Sequence, residues 1–491
     1  MQLSDILAFL RKNALYILFF FLPLLSVAMH WRVFQTDLVG VHVWRQVQTQ
    51  TVIVNFYAED FNILNPRLDP RGSGDGIERK EFPLMQWLFA GVYKVFGEHV
   101  VISRILMFLT GFFSIAGAWY LIFYLFRDRL AAFAGAWALY FSPAFFYYTV
   151  NPLPDNFALC WAFWGLAFFF RWYESRRWGH LAAGAFFLAV STLCKLPFVI
   201  FFTAPLLFFG LEWLEKRERG PFVRHTLTTL SFLALPAAWY LWVIPDWKGT
   251  DVATGILDNR TPVATLLRYV LDNLVSTLPE MLLNYAAVPL FIGGFYSLYA
   301  GPARHDRRFV LLVALSAAAI LYFLFEINMI ANVHDYYLFP FVPLLFILVG
   351  YGALKMFGGR PWQMRLALLC LAVAPLTAFL RTRNSWNPDS PGFNKDWLAY
   401  RTELQAAAPR QALCVAGNDV SYQILFYYID KKGWPFTGDN LTAAKLDAMI
   451  QEGAQYLYSD TRQVDENPEI RPMLDSLVLE RGTMRVFRLK K

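Results

Sequence analysis

The sequence predicts an α-helical polytopic membrane protein with about eleven transmembrane helices, interfacial helices in its first outer loop and a small C-terminal α/β domain. Three observations predict it. Of 491 residues, 57% are apolar and only 16% are charged, against roughly 25% charged in an average soluble protein. The basic residues gather in short loops between apolar runs, the pattern that orients membrane helices. From Thr382 onward the chain changes character: 14 Lys/Arg balance 14 Asp/Glu, and the excess lies in residues 1–381 with 30 basic and 23 acidic. With 47 Phe, 24 Tyr and 17 Trp, the apolar load exceeds what a soluble enzyme, a disordered chain or a fibre can carry. The +7 net charge is explained by the positive loops, so nucleic acid is excluded as a partner.

The first span is expected over 14–31, behind Arg11 and Lys12, which place the N-terminus in the cytoplasm. No small-residue cleavage site follows, so the span reads as retained. An outer loop over 32–101 comes next. Its end, 81–97, is apolar but short and carries Lys94; it reads as an interfacial helix, with a short span as the alternative. Further spans follow at 102–126, 130–149 and 157–173. The run 181–214 is long enough for two, broken near Lys195-Leu196-Pro197, where proline disfavours a continuous helix. The rest lie at 226–244, 282–300, 309–326, 337–355 and 366–381, with 245–281 read as a polar connection. Eleven spans put Arg127, Arg176, Lys216, Arg308 and Arg360 in the cytoplasm and the C-terminus outside.

The domains expected are a membrane domain over 1–381 and an extracytoplasmic α/β domain over 382–491. In the latter, 412–417, 454–460 and a pair joined at Gly482 read as strands; 419–431 and 442–453 read as helices. Cys160, Cys194, Cys370 and Cys414 form no CxxC or His/Cys cluster, so neither a disulfide framework nor a zinc site is indicated.

The scarce outer polar groups carry the chemistry. They are HVWRQVQT (42–49), NPRLDPRGSGDG (65–76), EFPL (81–84), Asp155 and His334-Asp335-Tyr336-Tyr337. Phosphate at membrane depth needs cationic donors, and Arg45, Arg71, Lys195 and Arg104 are candidates. Proton transfer needs a carboxylate near a membrane edge, and Glu81 and Asp155 lie there. Simpler readings stand beside these. Asp155 also fits an N-cap, Lys195 a snorkelling side chain, and Arg45 with Glu81 an ion pair. His334 and Asp335 also fit helix caps, and His42 a loop hydrogen-bonding residue. The types of Glu81, Asp155 and His334 permit a divalent metal, but no spacing supports one and no cofactor is required.

This layout resembles the C-type superfamily of membrane glycosyltransferases, most of all the bacterial branch related to protein O-mannosyltransferases and lipid A aminoarabinose transferases. The resemblance covers roughly 1–381. It rests on HxWRQ (42–46), EFPL (81–84), Arg104, NPLPDN (151–156), CKLPF (194–198) and HDYYLFPFVPLL (334–345), with the KKGW turn (431–434) a looser match. It implies a polyprenyl-phosphate-linked sugar as donor, transferred with inversion to a lipid, glycan or protein hydroxyl on the outer face of the bacterial inner membrane. In that family the first loop opens with an Asp-Glu pair whose Asp is taken as the base. Here Arg45-Gln46 occupy that place, Gln48 stands where WRQ relatives have Asp, and Glu81 stands where the proline motif has Lys or His. With the family's Asp missing, Glu81 and Asp155 are the candidate catalytic carboxylates here. His42, Arg45, Gln46, Arg71, Lys195, His334 and Tyr336 are the candidate substrate-binding residues. Its rivals are a lipid-linked sugar transporter or flippase, and a non-catalytic scaffold of envelope glycan assembly.

Overall fold

A computed structural model describes residues 2–247, 255–258, 261–301, 306–332 and 335–490. The chain separates into two compact units. The membrane unit comprises Met1–Phe34, Lys80–Phe82 and Arg104–Arg383. The loop–sheet unit comprises Gln35–Arg79, Pro83–Ser103 and Asn384–Lys491. Most of the first loop thus groups with the C-terminal region, not with the spans.

In the membrane unit, seven helices among the described residues are long and apolar enough to cross a bilayer. They include Leu3–His30, Arg219–Asp246, Arg307–Phe325 and Pro361–Thr382. The other expected spans coincide with helices that are shorter or carry charge. These are Arg129–Tyr140 with Pro143–Tyr148, Pro154–Ser175, Trp178–Cys194 and Val288–Ala300. The third span is broken because Ser142 caps a new helix whose first residue is Pro143. The ninth ends at Phe325, which leaves Glu326 just beyond it. The tenth opens as a tight 3₁₀ turn, Asp335–Phe341, before Val342–Phe357. The interval 245–281 is not merely a polar connection. Val263–Asp272 is an amphipathic helix that runs into a wider π turn, Asn273–Leu282, around Pro279, which has no N–H to donate.

Packing within this unit relies on close backbone approach. A Cβ on Gly352 would sit 1.8 Å from the Leu290 carbonyl oxygen, and one on Gly294 1.9 Å from that of Leu348. Only glycine lets Val288–Ala300 and Val342–Phe357 cross so tightly, the small-residue packing expected where lipid supplies no hydrophobic drive between helices.

The loop–sheet unit holds a five-stranded sheet. Its strands are β1 (Leu413–Gly417), β2 (Lys432–Pro435), β3 (Tyr456–Ser459), β4 (Leu474–Arg481) and β5 (Met484–Leu489), in the order β2-β1-β3-β5-β4. β1 runs parallel to β2 and β3, while β5 is antiparallel to β3 and β4. Alternation sends Val415, Leu457 and Phe487 to one face, with Leu446. It sends Cys414, Ala416, Tyr458 and Val486 to the other, where Leu38, Val43 and Val47 of the first loop complete the core.

Three expectations are corrected here. Lys431–Trp434 is not a turn: Lys432–Pro435 is a strand, bound in parallel to β1. The helix expected over 419–431 is only Ile424–Ile429. In the first loop, expected to be mostly polar or amphipathic with a helix placed only at 81–97, the 16-residue helix Val43–Ala58 comes first. The apolar end of the loop is a 13-residue helix, Leu84–Phe96, with Leu88, Val95 and Phe96 exposed. At 1.5 Å per residue it reaches about 20 Å, short of a hydrocarbon core of about 30 Å.

Main-chain pairing fastens the loop to the sheet. Gly433 N donates to Asp69 O at 3.2 Å, and Gly72 N donates to Gly433 O at 2.7 Å. Gly72 has φ +60°, and a Cβ there would lie 2.8 Å from the Trp434 indole nitrogen. Both conditions select glycine.

Candidate functional site

A buried cluster in the membrane unit is built where helices start and stop. Pro154 and Asp155 open the Pro154–Ser175 helix, behind the N-cap Leu153. Asp155 therefore lies inside the first turn, and the N-cap reading does not hold. An acid there is favoured by the helix dipole. Lys195 ends Trp178–Cys194 in extended backbone, φ −158° and ψ 113°, and a 3₁₀ segment, Leu196–Phe202, follows. Pro197 cannot supply the next helical N–H, which accounts for the break.

Lys195 Nζ lies 3.2 Å from Asp155 Oδ1, with side-chain exposures of 11% and 2%. It is thus paired inside the unit and does not snorkel to water. The same ammonium stands 4.7 Å from the Tyr337 ring centroid and 5.9 Å from that of Tyr336, within cation–π range. The tyrosines are held in turn. Tyr148 Oη donates to Asp335 Oδ1 at 2.7 Å, and the Tyr148 ring meets Tyr336 edge-on at 5.8 Å. Tyr322 Oη donates to the Tyr337 carbonyl at 3.0 Å.

Glu81 is placed by its neighbours. Phe82 N donates to Leu193 O at 3.0 Å, and Trp239 Nε1 donates to Lys80 O at 3.1 Å. Glu81 is within electrostatic reach of Cys194 and Tyr240. Tyr240 also feels Asp155 and donates to Leu193 O at 3.0 Å. Tyr240 therefore links the surroundings of the two carboxylates.

Glu326 was not singled out from the sequence. Its residue is 7% exposed and its Oε2 has no hydrogen-bond partner among the described residues. Lys195 acts on it electrostatically, although burial dominates and pushes the carboxyl up to about 7. The signal was present: Glu326 is the one charged residue in the mostly apolar stretch ILYFLFEINMI (320–330).

The remaining candidates lie in the loop–sheet unit, apart from Arg104, in the membrane unit, and His334, which is outside the described residues. His42 caps Val43–Ala58 in left-handed backbone, φ 51°. Arg45 is 8% exposed and donates to Gln48 Oε1. Gln46 is fully buried and donates to Val41 O at 2.8 Å. Arg71 forms two bonds to Glu59, at 2.9 and 3.0 Å, and one to Asp75 O at 2.9 Å. Lys432 also pairs with Glu59, so Arg71 belongs to a cross-link of the loop. Arg104, in the membrane unit, is fully buried and donates to Val150 O at 2.9 Å and Asn151 Oδ1 at 2.7 Å. Among the described residues, no three His, Cys, Asp or Glu gather as a metal site.

Residues 80–242 match the family model described as dolichyl-phosphate-mannose-protein mannosyltransferase. No curated protein matches the sequence. Three solved structures share the architecture. ArnT from Cupriavidus metallidurans in the apo state is 14% identical, with a TM-score of 0.63 over 95% of this chain and 97% of that one. The same protein bound to undecaprenyl phosphate is 14% identical, with a TM-score of 0.61 over 99% and 98%. The archaeal oligosaccharyltransferase AglB from Archaeoglobus fulgidus, in complex with an inhibitory peptide and a dolichol-phosphate, is 14% identical, with a TM-score of 0.53 over 92% and 70%.

Proposed function

We propose that this chain, which carries the fold of the C-type membrane glycosyltransferases related to aminoarabinose transferases, moves a sugar from a polyprenyl-phosphate carrier to an acceptor hydroxyl. The observation that carries this reading is the Asp155–Lys195–Tyr336–Tyr337 cluster, a cation held at a helix break among tyrosines. Such a cation suits a phosphate that must be met at membrane depth. Support comes from the fold shared with a protein bound to undecaprenyl phosphate.

The mechanism is a single displacement. Glu81 takes the proton from the acceptor hydroxyl as its oxygen bonds to the anomeric carbon. The bond from that carbon to the phosphate oxygen breaks, and the oxygen keeps the electron pair. Lys195, with hydroxyls of Tyr336 and Tyr337, stabilises the charge left on the phosphate. Asp155 already engages Lys195, so its part is to orient the ammonium and offset its charge before the carrier binds. Reaction on the outer face of the cytoplasmic membrane, with the C-terminus on that face, follows from the basic loops.

The test offers purified full-length protein a panel of polyprenyl-phosphate sugars and acceptors. Free polyprenyl phosphate appearing with a glycosylated acceptor supports the reading. Carrier released at the same rate by Glu81→Gln would overturn the assignment of the base.

A further inference from the structure

The cluster just described holds one acid more than its cation can balance. Lys195 and Asp155 form a pair at 3.2 Å. Glu326 adds a second carboxylate within electrostatic reach of the same ammonium, and its Oε2 is enclosed without a partner among the described residues. If Glu326 were ionised, a lipid phosphate arriving at Lys195 would meet two carboxylates and one cation. Like charges at such range in a poorly solvated site repel strongly. A protonated Glu326 removes the repulsion and turns the idle oxygen into a hydrogen-bond donor.

We propose that Glu326 is a substrate-binding residue that meets the carrier phosphate as a neutral carboxylic acid. One proton is taken from solvent as the phosphate arrives, the Glu326 O–H donates to a phosphate oxygen, and the proton returns to solvent when the carrier leaves. This rests on the donor site assigned above and names a further contact within it.

Lys195 and Tyr322 are the groups that interact with Glu326, and the surroundings of Tyr322 also include Asp155, Tyr336 and Tyr337. The Pro154–Ser175 helix contributes Asp155, engaged with Lys195 from the neighbouring helix break. Its own helix contributes Tyr322, whose hydroxyl is turned to Tyr337 O. The 3₁₀ turn Asp335–Phe341 contributes Tyr336 and Tyr337, whose rings stand against Lys195. Lys195 is the one cation named among these groups, and it already faces Asp155. The tendency of Glu326 to hold its proton up to about 7 fits the proposal.

The test measures binding of undecaprenyl phosphate to full-length wild-type protein and to Glu326→Gln in detergent from pH 6 to pH 8. Gln is close in shape, stays neutral and keeps an N–H donor. Titration of the ligand itself cancels in the ratio of the two dissociation constants. That ratio, wild type over variant, is expected to rise about tenfold across the range, because a carboxyl that titrates near 7 before the carrier binds takes up its proton only above that pH. Glu326→Ala should bind more weakly than Gln throughout, with no pH-dependent term of its own. A ratio that stays flat overturns the role of Glu326 and leaves the donor site standing. Absence of carrier binding by every form at every pH overturns both.

Discussion

The two units use their charged residues in opposite ways. In the membrane unit they are sparse, and several converge at helix ends: Asp155, Lys195 and Glu326, with the phenols of Tyr336 and Tyr337. In the loop–sheet unit they are plentiful and tie chain segments together. Arg71 and Lys432 share Glu59. Asp37 takes Arg401 and accepts from Tyr427 at 2.9 Å. Arg485 reaches Asp465 at 2.7 and 2.8 Å. A charge near lipid is too costly to keep without a purpose, whereas one beside water can be kept for architecture. The difference teaches where to seek chemistry: in the unit with fewer charges, at the positions where the backbone breaks.

Substitutions can break or sharpen that contrast. The largest effect is expected at Glu81. Glu81→Gln should lower the transfer rate by about 10²- to 10⁴-fold, the usual range for a general base, with the fold intact by size exclusion. Lys195→Met comes next, with a loss of about 10²- to 10³-fold in kcat from removing a stabiliser of developing charge. In the other unit the loss should fall on stability. Arg485→Met leaves Asp465 buried and unpaired and is expected to cost about 3 kcal/mol in denaturant titration. The rate per folded molecule should be unchanged. Gly72→Ala should cost about 1–2 kcal/mol, because alanine disfavours φ +60° and meets Trp434.

The smallest effect is a pH dependence in the loop–sheet unit. Loss of solvation pushes the Asp69 carboxyl up to about 7, against a bond from Asn55 and the charge of Arg71. An acid whose folded pKa is raised binds its proton more tightly when folded. Its stabilising contribution is therefore complete below the ordinary carboxylate range and is lost as pH rises through about 7. Hydrogen exchange at the Gly72 and Gly433 amides, corrected for intrinsic rate, should be faster at pH 8 than at pH 5. Asp69→Asn should remove the difference.

Much of this was legible in the sequence, and the omissions have physical causes. Hydropathy located the seven long apolar helices because lipid permits few alternatives to an apolar helix. Pro197 announced the break at Lys195, and Asp155 stood out as an acid beside an apolar run. Glu326 escaped because it was counted as the last residue of a span. Only the three-dimensional path brings it to Lys195, 131 positions earlier by the numbering. Lys432–Pro435 escaped as a strand because its pairing partner is β1 and KKGW reads as a turn only through the family resemblance. A Cβ on Gly433 would lie 1.9 Å from the Cys414 oxygen, so the glycine marks close approach of two backbones instead. The packing of Leu38, Val43 and Val47 against the C-terminal sheet joins segments more than 350 residues apart. No local pattern encodes such a contact.

The most direct measurement compares kcat for sugar transfer in Lys195→Met and Arg485→Met, each normalised to folded protein. The account predicts a loss of about 10²-fold or more in the first and a change within about threefold in the second. Equal losses, or a larger loss at Arg485, would contradict the claim that the chemistry belongs to the membrane unit.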